Sequence, residues 1–303
     1  MTRRQLLPPV AFLTILCLVG CDTDRLAQFG AFAAAGSAYA TTFQIFTAEV
    51  GSAFIAADSA VLVKARTNLD APHLTANAPV LRASLAQDDK TLKEYLANLQ
   101  KLDAHAKLLE EYFEAMTNLT NGKSSAATVT SMDSLVDAID TYNGQIEKVS
   151  FAGKNVKDFL GPATQLIVAH YEVKVLDHQL KKSAPVIDKA LTLQQAAVEA
   201  LSAQLSDSLS ASLQLEESSK VFDPYVQPGP LPSAWAEERE AYLRQDVTLQ
   251  TANCAEDAIK ELHKAFTKLA TDKTSRVDFK KLMTDIGTMA GYTAAANSVL
   301  KEK

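Results

Sequence analysis

Phe29, Phe32, Gly36, Tyr39, Phe43, Phe46, Val50 and Phe54 follow one another in steps of three or four residues. An α-helix turns once every 3.6 residues, so such steps place these positions on one face, whereas a strand needs alternation. The spacing predicts a first helix over Asp24–Arg66, broken by the Asn68–Pro79 segment with its prolines Pro72 and Pro79. Between Gly30 and Ala48 this helix carries no charged residue. A central helix wrapped by its neighbours accounts for that, and its Ala, Ser and Thr positions would let those neighbours approach closely.

The same steps recur through the chain. Leu92, Leu96, Leu99, Leu102, Ala106, Leu109, Phe113 and Met116 predict a second helix from Pro79 or Leu85 to Leu119, ended by Asn121–Ser125 with its Asn-Gly turn signal. Met132, Val136, Ile139, Tyr142, Ile146 and Val149 predict a third, with a break at Gly153. A fourth is expected over Asn155–Lys182, kinked or started late at Gly161-Pro162. Ser183 followed by Ala184-Pro185 reads as an N-cap with proline in the first turn of a fifth helix. That helix would run to Lys220 through Ile187, Leu191, Val198, Leu201, Leu205 and Leu209.

The clearest boundary is Asp223–Ser233, DPYVQPGPLPS, whose prolines favour an extended, semi-rigid connection. Beyond it, Trp235, Tyr242, Leu249, Ala252, Ile259, Leu262, Phe266 and Leu269 mark another helix. Thr274 or Ser275 would cap a last one through Phe279, Leu282, Ile286, Met289 and Val299. No strand signal stands out. The expected fold is all-α, an elongated bundle of six or seven long amphipathic helices. Its expected parts are a signal segment (1–20), an N-terminal bundle (21–222), the Pro-rich connection (223–233) and C-terminal helices (234–303) that pack on the same bundle.

Residues 1–20 read as a secretory signal: Arg3 and Arg4 form a positive start, and Leu6–Val19 is an apolar run too short to span a bilayer comfortably. The run ends in Leu18-Val19-Gly20-Cys21, which resembles the lipobox of bacterial lipoproteins. That resemblance implies that Cys21 receives a diacylglycerol thioether and becomes the first mature residue. Several acyl chains on one residue give a lasting anchor, since each buried CH₂ contributes about 0.8 kcal/mol. Asp22 resembles the aspartate that retains enteric lipoproteins in the inner membrane. The expected location is therefore the cell envelope, with the periplasmic face of the inner membrane preferred to the outer membrane.

Little in the sequence points to catalysis. The net charge of −6 becomes more acidic once Arg3 and Arg4 are removed, which argues against nucleic-acid binding. Helical di-iron sites need Glu-x-x-His pairs, and none of the five histidines has Glu three residues before it. His73 with Asp70 lies in a proline-flanked loop, and His170 and His178 are too far apart for the usual ligand pairing near Glu172 and Asp177. Cys254, the one cysteine left unmodified after processing, reads as a packed small side chain. No cofactor, metal or catalytic residue is expected. The expectation is a lipid-anchored scaffold or interaction protein, bound to the membrane through Cys21 and to a protein partner in the envelope. Its rival is a membrane-inserting or pore-forming protein that uses the uncharged 30–48 stretch; a third reading, an enzyme or small-ligand binder, ranks lower.

Overall fold

The structure, a computed structural model, describes residues 21–67, 77–122, 126–151, 153–160, 166, 168, 174–272 and 276–298. Six long helices follow one another among the described residues: α1 (Cys21–Thr67), α2 (Ala78–Thr120), α3 (Ala126–Ile146), α4 (Lys174–Glu216), α6 (Trp235–Thr271) and α7 (Lys280–Ser298). A single turn, α5 (Asp223–Val226), stands between α4 and α6. The chain is an all-α bundle.

The predicted stripes are its core. Phe29, Phe32, Tyr39, Phe43, Phe46, Val50 and Phe54 of α1 are all buried, as are Leu99, Leu102, Ala106, Leu109, Phe113 and Met116 of α2. Each large side chain so buried contributes roughly 1.5–3 kcal/mol. Side chains from α1, α2, α3, α4, α6 and α7 join one continuous apolar cluster, and α1 packs against α2, α4, α6 and α7. The uncharged helix is thus the shared centre of the bundle. Phe32 meets Phe113 edge-on with ring centroids 5.5 Å apart and lies 5.6 Å from Phe266, tying α1 to α2 and α6.

Gly36 is part of this joint. A Cβ at that position would come within 2.6 Å of the Phe113 ring, which is itself fully buried. Gly36→Ala should therefore lower stability by about 1–3 kcal/mol through overpacking. Urea denaturation of the variant measures this; an unchanged midpoint would show that the ring yields freely.

The helix directions follow from contacts at the two ends. Arg25 donates to the carbonyls of Leu269 (2.5 Å) and Asp272 (2.6 Å), and Asp24 pairs with Arg276, so the start of α1 meets the end of α6. The Asp188–His263 (2.9 Å) and Lys220–Glu238 (2.9 Å) pairs run α4 antiparallel to α6. The α4–α6 connection therefore lies at the end of the bundle where α1 finishes, far from Cys21.

Several expectations need correction. No helix covers the start of 155–182. Instead β1 (Ser150–Phe151) and β2 (Lys154–Asn155) form a small antiparallel hairpin around Gly153, whose φ of 74° suits glycine. A 3₁₀ turn, Val156–Phe159, follows, closed by mutual bonds between Asn155 and Asp158. Phe151 and Val156 are buried, and Asn98 of α2 donates to the Ser150 carbonyl (2.8 Å). Burial and that bond hold a strand pair too short to announce itself by alternation. Gly161 and Pro162 lie outside the described residues.

The break expected at Ser183 is absent. α4 runs through Pro185, which removes one backbone hydrogen bond but not the packing of Leu180, Ala184, Ile187 and Leu191 on either side. Ser183 is no cap; it is buried with its hydroxyl 3.0 Å from that of Tyr112. In the Pro-rich connection, Asp223–Val226 is helical, with Pro224 in its first turn where a missing N–H costs nothing, after a wider π turn at Glu217–Phe222. The last helix begins at Lys280, with Asp278 accepting from the Lys280 N–H (2.9 Å). Thr274, Ser275 and Val299 lie outside the described residues.

Candidate interaction surface

Several polar groups on α1 are bonded to protein. Thr41 and Gln44, within the uncharged stretch, both donate to the Glu110 carboxylate of α2 at 2.7 Å. Thr42 and Thr47 donate back to the carbonyls of Ala38 and Gln44. By length and composition α1 could cross a membrane. In this fold its aromatic face, including Phe43 and Phe46, is fully covered by other helices.

What the bundle leaves uncovered is concentrated at one end. Apart from Ile45 and Met283, every large apolar side chain exposed among the described residues falls in 55–85 or 222–243. One group is an arm made by the end of α1 and the start of α2. After Ala57 on α1, and before Asn98 on α2, no described residue is buried. Leu92, Tyr95 and Leu96 still pack against the edge of the core, which leaves residues 78–91, about 20 Å of α2, clear of it. Val61, Val63, Val80, Leu81 and Leu85 are exposed there, Val63 and Val80 by 60% or more. Two helices side by side have no third face to cover such a seam. At the root of the arm Asp58 is held above its usual carboxylate range, by partial burial and by Asp88 and Asp89 across from it.

The second group surrounds the Pro-rich connection: Phe222, Tyr225, Val226, Leu231 and Leu243. Tyr225 stacks on Trp235 with centroids 5.5 Å apart, and the Trp235 indole donates to the Val221 carbonyl (2.9 Å). This pair fixes an aromatic surface that still faces solvent. Both groups lie at the end of the bundle opposite Cys21. Apolar patches of this kind mark surfaces that other molecules cover.

Cys21 opens the first turn of α1; its side chain and that of Asp22 lie outside the description. So do Asp70, His73, His170 and Glu172. His178 is exposed, and Asp177 pairs with Lys181 at 2.7 Å. Among the described residues no group of three or more His, Cys, Asp or Glu side chains is placed to hold a metal ion. Cys254 is partly buried, and burial together with Asp257 and Asp285 pushes its thiol up, away from the reactive thiolate.

Two buried titratable groups escaped the sequence reading. His105 of α2 is fully buried, its Nε2 3.0 Å from Asn143 Oδ1, while the Asn143 amide nitrogen donates to the Val186 carbonyl (3.4 Å). That second bond orients the amide, so Nε2 carries the proton. Burial holds His105 down at about 4, opposed by the Asn143 bond. Glu49 of α1 is 8% exposed, and neither of its oxygens has a hydrogen-bond partner. Burial lifts it to about 7, against the pull of Arg244 on α6. Either could have been noticed as a polar residue one helical step from a stripe position: His105 follows Leu102, and Glu49 adjoins Val50.

No protein-family model matches the chain, and neither a curated protein nor a solved structure matches it.

Proposed function

We propose that this chain is a lipid-anchored bacterial envelope protein that holds an apolar binding end away from its membrane. The observation that carries this reading is the polarity of the bundle. The lipobox-like cysteine is at the first turn of α1, and the exposed apolar side chains gather at the opposite end. The 47 residues of α1 separate the two by about 70 Å. A lipid on Cys21 would fix one end, leaving the arm and the Tyr225–Trp235 surface free to meet a protein partner. Because these patches are apolar, the association should persist at high salt, where contacts between exposed charges are screened.

Cys21→Ser tests the anchor. The variant should appear in the soluble fraction or remain an uncleaved precursor, as read by fractionation and intact mass. A variant processed and sedimenting like the wild type would contradict the lipoprotein reading.

The buried aromatic face of α1 supports a core role over a pore. The mature chain without its lipid should leave dye-loaded liposomes intact. Prompt leakage, with a probe on Cys at position 43 in a Cys254→Ser background reporting lipid, would favour insertion instead.

A further inference from the structure

Glu49 and Arg244 stand at one level of the bundle without pairing: the Phe32–Phe266 and Arg25–Leu269 contacts set α1 antiparallel to α6 in a register that brings position 49 opposite the turn that begins at Arg244. Both carboxylate oxygens of Glu49 are buried and unpartnered, and so is Nε of Arg244. Arg244 instead turns along its own helix, its guanidinium 3.1 Å from Glu240. In that outward position it lines an outer groove of about 360 Å³ with Arg239, Glu240, Leu243 and Val247, so its guanidinium is not packed in place.

We propose that Arg244 is a two-position guanidinium: it leaves Glu240 and pairs with Glu49 when Glu49 loses its proton, latching α6 to α1. A buried carboxylate without hydrogen bonds is costly once charged, and a nearby cation held by an exposed carboxylate is the cheapest remedy. The Nε–H that lacks a partner in the outward position finds one in the inward position.

The other groups around Glu49 do not compete for it. α2 meets α1 on the Gly51 side, at Leu96 and Leu99, two residues round the helix and so facing away from Glu49. On α7, Gly291–Ala296 offers only Tyr292 as a titratable group. On α4, Gln204 is buried with an unpartnered Oε1, and Asp207 is exposed. On α6, Arg239 lines the outer groove, and Asp246 is exposed and accepts from Gln250. Arg244 is the cation whose field reaches Glu49.

The test is the arginine Nε–H spectrum of the full chain in detergent, with the Arg244 signal assigned by its loss in Arg244→Lys. Between about pH 5.5 and 8.5 the wild-type signal should shift and its guanidinium rotation should slow, following the ionisation of Glu49. In Glu49→Gln it should keep its low-pH position throughout. Glu240→Gln, a surface change that leaves the core intact, should release Arg244 inward. The midpoint should then move to lower pH, and rotation should be slow above it. A wild-type signal that does not move, one that moves as far in Glu49→Gln, or rotation that stays fast at high pH in Glu240→Gln overturns the proposal.

Discussion

Leu99→Asp should destabilise the bundle by several kcal/mol, on the order of 4, and leave much of the chain unfolded at moderate urea. Leu99 is 4% exposed, at the level where α2 packs on Gly51 of α1. The substitution removes a buried apolar side chain and puts a carboxylate beside Leu96 and against Gly51 of α1. Leu81→Asp, on the same helix but 36% exposed in the arm, should change stability by no more than about 0.5 kcal/mol. Paired denaturation curves measure both. Equal effects at the two positions would mean that the arm is not outside the core.

Glu49→Gln should stabilise the protein at pH 8 by about 3 kcal/mol and do almost nothing at pH 4. The sign follows from where the proton sits. Glu49 stands at about 7 in the fold against an ordinary 4.5, so the folded chain keeps a proton that the unfolded chain releases. Its contribution is therefore favourable only below about 4.5, declines as pH rises, and is fully lost above about 7. His105 acts in the opposite sense. Held at about 4 instead of 6.5, it folds neutral, so its stability is present above 6.5 and lost as pH falls toward 4. Between roughly pH 4.5 and 6.5 the two slopes nearly cancel, since each is about 1.4 kcal/mol per pH unit. The two contributions should offset each other across that window, so Glu49→Gln should gain stability relative to the wild type as pH rises through it. Denaturation midpoints at a series of pH values decide this. A variant with the wild-type pH profile would show that Glu49 ionises as freely in the fold as in water.

The core was legible because periodic burial writes itself into sequence. The stripe positions of α1, and Ile187, Leu191, Val198, Leu201, Leu205 and Leu209 of α4, are all buried. Even Gly36, which has no side chain to bury, kept its place in the stripe because Phe113 occupies the space. Local signals failed where tertiary packing outweighed them. Pro185 looks like a helix start, but apolar contacts on both sides carry α4 through it. The Ser150–Asn155 hairpin is too short for alternation and is held by Phe151, Val156 and Asn98. The exposed end was hidden for a different reason. Leu81 and Leu85 continue the spacing of Leu92, Leu96 and Leu99, and spacing alone does not reveal that only α1 lies beside them. Glu49 and His105 were hidden in the same way, since periodicity marks faces and says nothing of a polar residue drawn into one.

The central claim, that the end opposite Cys21 is the one that binds, is tested most directly by site-specific photocrosslinking in intact cells. A photoreactive residue would stand at Val63 or Tyr225, and for comparison at Met283, which is exposed near the anchored end. The account predicts a discrete adduct of one protein from Val63 and Tyr225, none from Met283, and loss of the adduct when Cys21→Ser frees the chain from the membrane. Adducts formed equally at Met283, or unaffected by Cys21→Ser, would contradict it.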